Sequence, residues 1–331
     1  MPMLLILFLL TISHPKAQVK SNHQRLLEIK ELKRFSFGSC NNQTDTQPLW
    51  EDLIKQRPDL WIWAGDSVYA DWMSGHSVEL AYALQDKNPL YSLFKKQTPI
   101  IGIWDDHDYA FDNADGSFPL KVQSQKKFLD FINIPEDSIL RNQEGIYNFH
   151  SFGPVEREVK IILLDNRYFK NLDPNYPMLG KVQWRWLEGV LTNSSAKIHF
   201  IVTGLPVTSP LIPYTEEWAE TTELGQMREL VERTKAQGVV FLTGDKHFSS
   251  IYQRWGHLEF MSSGMTHLAD RRTWFYLGRK YPKTFFGLSY GQIDIKWKDE
   301  TPILRMSMRS TSGNDIHNSS YILQKNKWKR F

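Results

Sequence analysis

Short apolar runs recur along the first three quarters of the chain, and each ends in a cluster of polar residues. The apolar runs lie within 34–37, 60–64, 99–104, 160–164 and 239–243. Continuous apolar runs, rather than alternating ones, are typical of strands that are covered on both faces. Apolar positions at helical spacing occur between them, at 49–55, 123–131, 183–191 and 222–236. Helices that alternate with buried strands predict a layered α/β fold.

The pattern changes after about residue 248, where shorter and more alternating runs replace the helical ones. These runs lie at 249–255, 258–262, 287–297, 303–309 and 320–323. We expect them to form a second sheet of the same sandwich. Because no linker rich in Gly, Pro or Ser interrupts the chain, residues 18–331 are predicted to form one domain. The basic run at 325–330 is predicted to be a solvated C-terminal tail.

The N-terminus begins with a run of apolar residues at 4–12. This run is too short to cross a bilayer, which needs about 20 apolar residues. It has the length of the apolar region of a signal peptide, and Ala17 is a suitable residue before a cleavage site. We therefore predict a signal peptide over residues 1–17 and a secreted or periplasmic protein, with a buried N-terminal strand as the alternative. The single cysteine, Cys40, excludes an internal disulfide, so it is either a small buried residue or a ligand.

Composition excludes several classes of protein. A chain that is 41% hydrophobic and 23% charged is not intrinsically disordered. The formal net charge of +3 and the lack of a dense basic stripe argue against a specific nucleic-acid partner. No stretch of the sequence has the length of a transmembrane segment. The oligomeric state stays open.

The polar clusters at the predicted strand ends contain many potential metal ligands. These residues are Cys40, Asp66, Tyr69, Asp71, Asp105, Asp106, His107, Asp108, Asp112, Asp245 and His247. In α/β sheets the ligand site lies beyond the carboxyl ends of the strands, so we expect these side chains to converge. Converging carboxylates repel one another unless cations neutralise them. A mixture of oxygen, nitrogen and sulfur ligands suits a transition metal better than magnesium alone.

Five sequence blocks in a fixed order resemble one known family. The blocks are Gly38-Ser39-Cys40, residues 65–71, residues 104–109, residues 164–167 and residues 244–247. They resemble the PhoD-like phosphatases of the calcineurin-like metallophosphoesterase superfamily, and the segment 179–187 is also similar to that family. The resemblance covers roughly residues 33–265. One Gly-Asp or Asp-x-His is a weak signal, whereas five ordered blocks are specific.

The resemblance implies a fold and an activity. The fold would be an α/β sandwich of two sheets flanked by helices. The activity would be hydrolysis of a small phosphate ester by a hydroxide held between metal ions, as in a secreted alkaline phosphatase with some phosphodiesterase action. The family holds two or more metal ions, with iron and calcium as the expected pair and other divalent pairs as alternatives.

The resemblance also implies a role for individual residues. The metal ligands would be Cys40, Asp66, Tyr69, Asp106, Asp245 and His247, with Asp66 bridging two metals. His107 would protonate the leaving group, and Arg167 would clamp the phosphate, since a guanidinium matches phosphate geometry. Two positions depart from the family pattern: Asp112-Asn113 reverses an expected Asn and Asp, and Ser250 replaces a common Glu.

Two other functions compete with this interpretation. Gly65-Asp66-Ser67 also matches ester hydrolases in which Ser67 would be the nucleophile, but the Asp-x-x-His block that they need is missing from the sequence. A secreted, non-enzymatic metal-binding module is the other alternative. We further predict that Asp105 orients His107. The histidines without acidic neighbours, predicted to be structural or exposed, are His199, His257 and His267.

Overall fold

The computed structural model of the chain describes residues 20–70, 77–173, 175–208, 218, 221–269 and 284–331. The predicted signal peptide at 1–17 and Asp71 lie outside the described residues. The single-domain boundary 18–331 stays a prediction. None of the described helices is long and apolar enough to span a membrane.

The described chain alternates helices and strands up to β7 and then consists of strands. The α-helices are α1 (Asn22–Glu28), α2 (Leu49–Gln56), α3 (Val78–Lys87), α4 (Pro89–Gln97), α5 (Asp106–Tyr109), α6 (Lys121–Phe131), α7 (Gly180–Thr192) and α8 (Glu223–Thr234). The strands are β1 (Arg34–Gly38), β2 (Leu60–Ala64), β3 (Ile100–Ile103), β4 (Asn148–Phe152), β5 (Val159–Leu163), β6 (Ile198–Thr203), β7 (Val239–Thr243), β8 (Ser249–Arg254), β9 (His257–Ser262), β10 (Thr284–Phe285), β11 (Ser289–Lys298), β12 (Thr301–Ser310), β13 (Asp315–Gln324) and β14 (Lys327–Arg330). Two short 3₁₀ helices lie at Ile139–Arg141 and Val155–Arg157.

The strands form two seven-stranded sheets. Their orders are β14-β13-β12-β11-β1-β2-β3 and β10-β8-β9-β7-β6-β5-β4. In the first sheet β1, β2 and β3 are parallel. In the second sheet β5, β6, β7 and β9 are parallel. The strands after residue 248 therefore do not form a sheet of their own, as we expected, but extend both sheets.

The two sheets pack face to face through aromatic rings. Phe35 of β1 contacts Phe200 of β6 with 4.8 Å between ring centroids, in an edge-to-face arrangement. Phe37 of β1 contacts Phe260 of β9 at 5.0 Å in the same arrangement. Edge-to-face contacts between large aromatic rings add to the burial of apolar area. The inner faces of both sheets consequently form one continuous core.

Helices cover the outer faces of the sheets. On the first sheet, Trp50 of α2 packs on Trp61 and Trp63 of β2, with ring centroids 5.2 and 5.6 Å apart. On the second sheet, α7 and α8 bury apolar side chains against β5, β6 and β7. The result is the two-sheet α/β sandwich flanked by helices that the sequence predicts, and both outer faces of the parallel strands are covered.

Several elements were missed from the sequence, among them α1, α3, α4 and β4, and one was misjudged. Strand β6 is an apolar run between β7 and β5 of the second sheet, yet we did not predict it. The basic run at 325–330 is not a solvated tail, because its residues from Lys327 form β14. Trp328 is 2% exposed and donates a hydrogen bond to the carbonyl of Val239 at 3.2 Å. The basic residues around it stay exposed. We took their charge for a solvated tail and did not recognise the alternation of exposed and buried positions that is typical of an edge strand.

A buried ion pair connects the first sheet to α2. Arg309 of β12 donates to Asp52 of α2 at 2.8 Å, and the hydroxyl of Tyr290 donates to the same carboxylate at 2.6 Å. Burial alone would raise the pKa of Asp52, but the hydrogen bonds from Arg309 and Tyr290 outweigh it, so that pKa lies below its ordinary value. The ionised form of Asp52 therefore depends on its contacts with Arg309 and Tyr290.

Replacing Arg309→Met should lower the free energy of unfolding by about 3 kcal/mol, because it leaves Asp52 buried without its cation. Arg233→Met is the control, since it removes an ion pair between exposed side chains that solvent screens, and its loss of stability should be much smaller. Urea denaturation at pH 7 measures both values. Equal losses in the two variants would contradict the role assigned to the buried pair.

Buried His199 gives a second test, of pH dependence. Its Nδ1 lies 2.6 Å from the carbonyl of Gln237, and its Nε2 lies 2.8 Å from the hydroxyl of Ser194. Burial lowers the pKa of His199 from 6.5 to about 4, so the folded protein keeps the ring neutral while the unfolded chain takes up a proton. This stability is present above pH 6.5 and is lost as the pH falls towards 4.

We therefore expect wild-type protein to lose up to about 3 kcal/mol more than His199→Gln when the pH falls from 7 to 4, since one pKa unit corresponds to about 1.4 kcal/mol. Denaturant unfolding of both proteins across this range measures the difference. Above pH 7 the difference should be constant, which is the internal control. Parallel curves down to pH 4 would show that the ring is protonated in the folded state.

Candidate metal centre

The carboxyl ends of parallel strands from both sheets meet at one edge of the sandwich. The residues after β1, β2 and β3 come from the first sheet, and those after β5, β7 and β9 come from the second. Backbone hydrogen bonds join these turns. Asn41 N–H donates to the carbonyl of Asp66 at 2.9 Å, and Gly264 N–H donates to the carbonyl of Ser39 at 3.2 Å. The second of these bonds links the two sheets.

Two glycines allow the turns to approach closely. Gly65 has a φ of 95°, and a Cβ there would lie 2.7 Å from the Cβ of Asp105. A Cβ at Gly204 would lie 2.6 Å from the Cγ of Asp105. A side chain at either position would push Asp105 out of the site, so both glycines are needed for the observed packing.

Four of the predicted metal ligands adopt left-handed backbone. The φ angles are 60° at Cys40, 46° at Asp66, 71° at Asp245 and 58° at His247. Such residues cost about 1–3 kcal/mol each and tend to occur at functional sites. Cys40, Asp66 and Asp245 each lie two residues after a strand end, and His247 lies four residues after one, so these turns direct the side chains to the shared edge.

Cys40, Asp66 and His247 form the first group of potential ligand atoms, all within 4.8 Å of one another. The Sγ of Cys40 lies 3.6 Å from Oδ2 of Asp66 and 3.0 Å from the hydroxyl of Ser263. Burial raises the pKa of the Cys40 thiol to about 11, although the Ser263 hydroxyl opposes this. A thiol in this position needs a cation before it becomes a thiolate.

Tyr69 adds a phenolic oxygen to the first group. Its hydroxyl lies 3.4 Å from Oδ2 of Asp66 and 3.3 Å from Nε2 of His247. Burial raises the pKa of Tyr69 well above its ordinary value, and the charges of Cys40 and Asp66 raise it further.

Two more groups share residues with the first. Asp66, Asp106 and His107 form one group, and Asp105, Asp106 and Asp245 form the other, again with ligand atoms within 4.8 Å. Asp66 and Asp106 each belong to two of the three groups. Asp66 joins the group that contains Cys40 to the group that contains Asp106, which is the position expected of a bridging carboxylate. All six predicted metal ligands and His107 therefore lie together.

Negative charge in this region is poorly compensated by the protein. Burial raises the pKa of Asp66 well above its ordinary value, and the charge of Asp106 raises it further. Burial also raises the pKa of Asp105 to about 6, although Arg167 opposes this. Among the residues that the structure describes, none donates a hydrogen bond to Oδ2 of Asp105 or Oδ1 of Asp106, and both oxygens are buried. Buried oxygens of this kind fit metal ions, which would supply the missing positive charge.

Arg167 is fully buried beneath the carboxylates. Its Nε donates to Oδ1 of Asp105 at 2.5 Å, and its Nη1 donates to the carbonyl of Ala114 at 3.2 Å. Asp105 thus pairs with Arg167, and our expectation that it orients His107 stays a prediction. A direct contact of Arg167 with phosphate stays a prediction, and the contacts seen here make Arg167 the residue that positions Asp105.

His107 lies beside Tyr69 at the solvent-exposed side of the ligand groups. Its backbone N–H donates to Oδ1 of Asp66 at 3.4 Å, and its ring centroid lies 4.3 Å from that of Tyr69. Its Nε2 lies 3.9 Å from a carboxylate oxygen of Asp112. The side chain is 15% exposed, so the ring is reachable from solvent at the edge of the ligand groups.

The reversed pair Asp112-Asn113 takes part through its backbone. Asn113 N–H donates to Oδ2 of Asp106 at 2.7 Å, which orients that carboxylate. The Asp112 side chain is 68% exposed and is hydrogen-bonded by the Asn113 amide. Neither side chain joins the three ligand groups.

Ser67 is not placed to act as a nucleophile. It is fully buried, and its hydroxyl donates to Oδ2 of Asp108 at 2.8 Å. The same carboxylate accepts from the Ser67 backbone N–H at 3.0 Å. Because the hydroxyl is occupied by Asp108 and sealed from solvent, the ester-hydrolase alternative has no structural support.

His267 is a site residue that sequence reasoning missed. Its Nε2 lies 2.8 Å from the hydroxyl of Tyr69 and 3.2 Å from Nε2 of His247. Burial and, to a smaller extent, the neighbouring histidines together lower its pKa to about 3. We expected a structural or exposed residue, because neither adjacent residue in the sequence is acidic. The usable signal was strand β9, which runs parallel to β7 and so ends at the same edge.

Two solved structures have the same overall fold. A structure titled "Structure of PhoD" is 16% identical, covers 90% of this chain and 71% of its own, and superimposes with a TM-score of 0.66. GAP50, described as the anchor in the inner membrane complex of Plasmodium, is 11% identical, covers 89% of this chain and 90% of its own, with a TM-score of 0.55. At these identities the likeness shows the fold alone. That fold is of the metallophosphoesterase type.

The sequence model of the PhoD-like phosphatase family matches residues 77–266, more than half of the chain. The protein therefore belongs to the PhoD-like phosphatase family. Among curated protein sequences, none matches the chain significantly. Family membership supports a phosphoesterase, and the ligand groups described above provide residues that can bind metal ions.

Replacing Arg167→Met should lower the free energy of unfolding by about 3–5 kcal/mol in the absence of metal, because it leaves Asp105 and Asp106 buried without their cation. Arg185→Met, at an exposed position of α7, is the matched control and should change stability by less than about 0.5 kcal/mol. Denaturant unfolding in the presence of a chelator measures both. If Arg167→Met were as stable as the control, Arg167 would not position the carboxylates.

Proposed function

We propose that this protein is a metal-dependent phosphoesterase that hydrolyses phosphate monoesters. The observation that carries the proposal is the convergence of the six predicted ligand residues from both sheets, in which Asp66 joins the Cys40 group to the Asp106 group. The family of the chain supports the same chemistry. Phosphodiesters are a further class of substrate that the same centre would accept if its entrance admits a second ester group.

The ligand chemistry favours two different metals. Cys40, Tyr69 and His247 offer sulfur, a phenolic oxygen and nitrogen, a set that suits iron or another transition metal. Asp106 and Asp245 offer only carboxylate oxygens, which suit calcium. Asp66 lies between the two sets and would contact both ions. Bound metal ions would polarise the phosphoryl oxygens and supply an acidified water as nucleophile.

His107 is the residue proposed to protonate the leaving group. Its backbone is tied to Asp66, and its ring lies against Tyr69 at the solvent-exposed side of the ligand groups. A histidine acts as a general acid from its imidazolium form, which gives one ring proton to the departing alkoxide and is left as neutral imidazole.

Export is part of the proposal, and it depends on the sequence of residues 1–17. An exported enzyme would act on phosphate esters outside the cytoplasm. The non-enzymatic alternative remains a distinct outcome, because GAP50 has the same fold and is described as an anchor. The two functions differ in whether the metal-loaded protein turns over a phosphate ester.

Replacing Asp66→Asn should remove metal and phosphatase activity together, because the amide offers one neutral oxygen where a bridging carboxylate is needed. We expect a decrease in kcat/KM for p-nitrophenyl phosphate of at least about 10³-fold, the scale of losing a principal electrostatic group in catalysis. Folding should be retained, since the substitution also removes an uncompensated buried charge.

Asp45→Asn, which changes an exposed carboxylate outside the ligand groups, is the control and should keep both metal and activity. Metal content is measured by mass spectrometry and turnover with mono- and bis-p-nitrophenyl phosphate. Full turnover by Asp66→Asn would exclude the bridging role. Wild-type protein that binds metal but hydrolyses neither ester would instead favour the non-enzymatic alternative.

A further inference from the structure

We propose that His267 is a further ligand of the metal ion on the Cys40 side of the centre, together with Cys40, Tyr69 and His247. This inference rests on the proposed function, in which the centre binds metal. It extends the ligand set to the loop that follows β9, a segment to which the sequence assigned no chemistry. Three observations carry it: the hydrogen-bond partner of Nδ1, the spacing of the ligand atoms and the anchoring of the loop.

Nδ1 of His267 has a hydrogen-bond partner on the side away from the centre. The Thr266 hydroxyl lies 3.0 Å from Nδ1 of His267, accepts from Asn42 N–H at 2.8 Å and lies 3.3 Å from the carbonyl of Cys40. When the hydroxyl donates to that carbonyl, it accepts from Nδ1 of His267, and the lone pair of the ring lies on Nε2, which points into the centre. Metal-binding histidines have this arrangement, in which the other ring nitrogen donates to a neighbour.

The spacing of three potential ligand atoms is close to that around one ion. Nε2 of His267, the hydroxyl of Tyr69 and Nε2 of His247 form a triangle with sides of 2.8, 3.3 and 3.2 Å. Atoms that bind one metal at about 2.1 Å, at tetrahedral or octahedral angles, lie about 3.0–3.4 Å apart. The two distances to Nε2 of His247 fall in this range, and the distance between His267 and Tyr69 is shorter. The single proton of the Tyr69 hydroxyl can satisfy only one of the two nitrogens, whereas one cation would be contacted by all three atoms.

Backbone hydrogen bonds hold the loop in place on both sides of His267. Thr266 N–H donates to the carbonyl of Cys40 at 3.3 Å, and Ala269 N–H donates to the carbonyl of His247 at 2.9 Å. The loop is therefore bonded to two of the other ligand residues. A metal ion would find the His267 ring already directed towards it, so little conformational entropy would be lost on binding.

The competing explanation is that His267 only accepts a hydrogen bond from Tyr69. In that case His267 would be a positioning residue, and its effect on metal binding would depend entirely on the Tyr69 hydroxyl. A double-mutant cycle with Tyr69→Phe separates the two roles. A ligand retains its effect when the hydroxyl is removed, whereas a hydrogen-bond acceptor does not.

The test is titration with Co²⁺ of the metal-free full-length protein and its variants. The charge-transfer band from the Cys40 thiolate to cobalt reports this centre specifically, because Cys40 is the only cysteine of the chain. We expect His267→Ala to weaken Co²⁺ binding at least about 10–100-fold, the loss seen for supporting groups of metal sites. Tyr69→Phe/His267→Ala should show a comparable loss relative to Tyr69→Phe alone. His257→Ala, at the start of the same strand, is the control and should bind Co²⁺ like wild type.

Each outcome decides a different question. Wild-type protein without a thiolate–cobalt band would overturn the proposed metal dependence itself. Equal Co²⁺ affinities of wild type and His267→Ala would overturn the role of His267 alone, and so would a loss that disappears in the Tyr69→Phe background. Pulsed electron paramagnetic resonance of the Cu²⁺-loaded wild type needs no variant to fold. Coupling to two imidazoles would support the proposal, and coupling to one would overturn it.

Discussion

Buried negative charge at the shared edge of the two sheets is the constraint on which the centre depends. Asp66, Asp105 and Asp106 are nearly inaccessible to solvent, and burial acts against ionisation of all three. Arg167 lies beneath them and offsets part of the charge, mainly at Asp105 and Asp106. The geometry is explained if cations complete the balance, since carboxylates without counter-charges are among the least stable arrangements in a protein interior.

The two sheets contribute unequally to this balance. The first sheet provides the thiol of Cys40 and most of the carboxylates, whereas the second provides Asp245 and the imidazoles of His247 and His267. The ligand set therefore exists only after the sheets have packed. The aromatic contacts between Phe35 and Phe200 hold the sheets together away from the edge, so apolar packing brings together groups that would otherwise repel one another.

Much of the centre could be predicted because it follows from parallel strands. A buried strand is visible as a continuous apolar run, and its carboxyl end determines where the next polar residue lies. Cys40, Asp66, Asp106 and Asp245 all follow such runs. The partition of the C-terminal strands between two sheets could not be predicted, because it depends on long-range pairing of β11 with β1 and of β9 with β7. His267 was missed for the same reason.

Other features were hidden by side-chain chemistry rather than by distance in the sequence. Arg167 has the charge expected of a phosphate-binding residue, and only its burial shows that Asp105 is its partner. The basic residues of β14 masked Trp328, whose indole is enclosed against β7. Charge indicates what a residue can bind, but its depth in the fold determines which group it meets.

The left-handed backbone at Cys40, Asp66, Asp245 and His247 has a consequence for how this centre can change. An amino acid at these positions must meet two requirements: it has to offer a ligand atom, and it has to tolerate a positive φ. Asp and His meet both more readily than most residues, whereas Gly tolerates a positive φ but offers no side-chain ligand atom. The exchange of one metal for another by changing ligands is therefore limited by backbone conformation as much as by coordination chemistry.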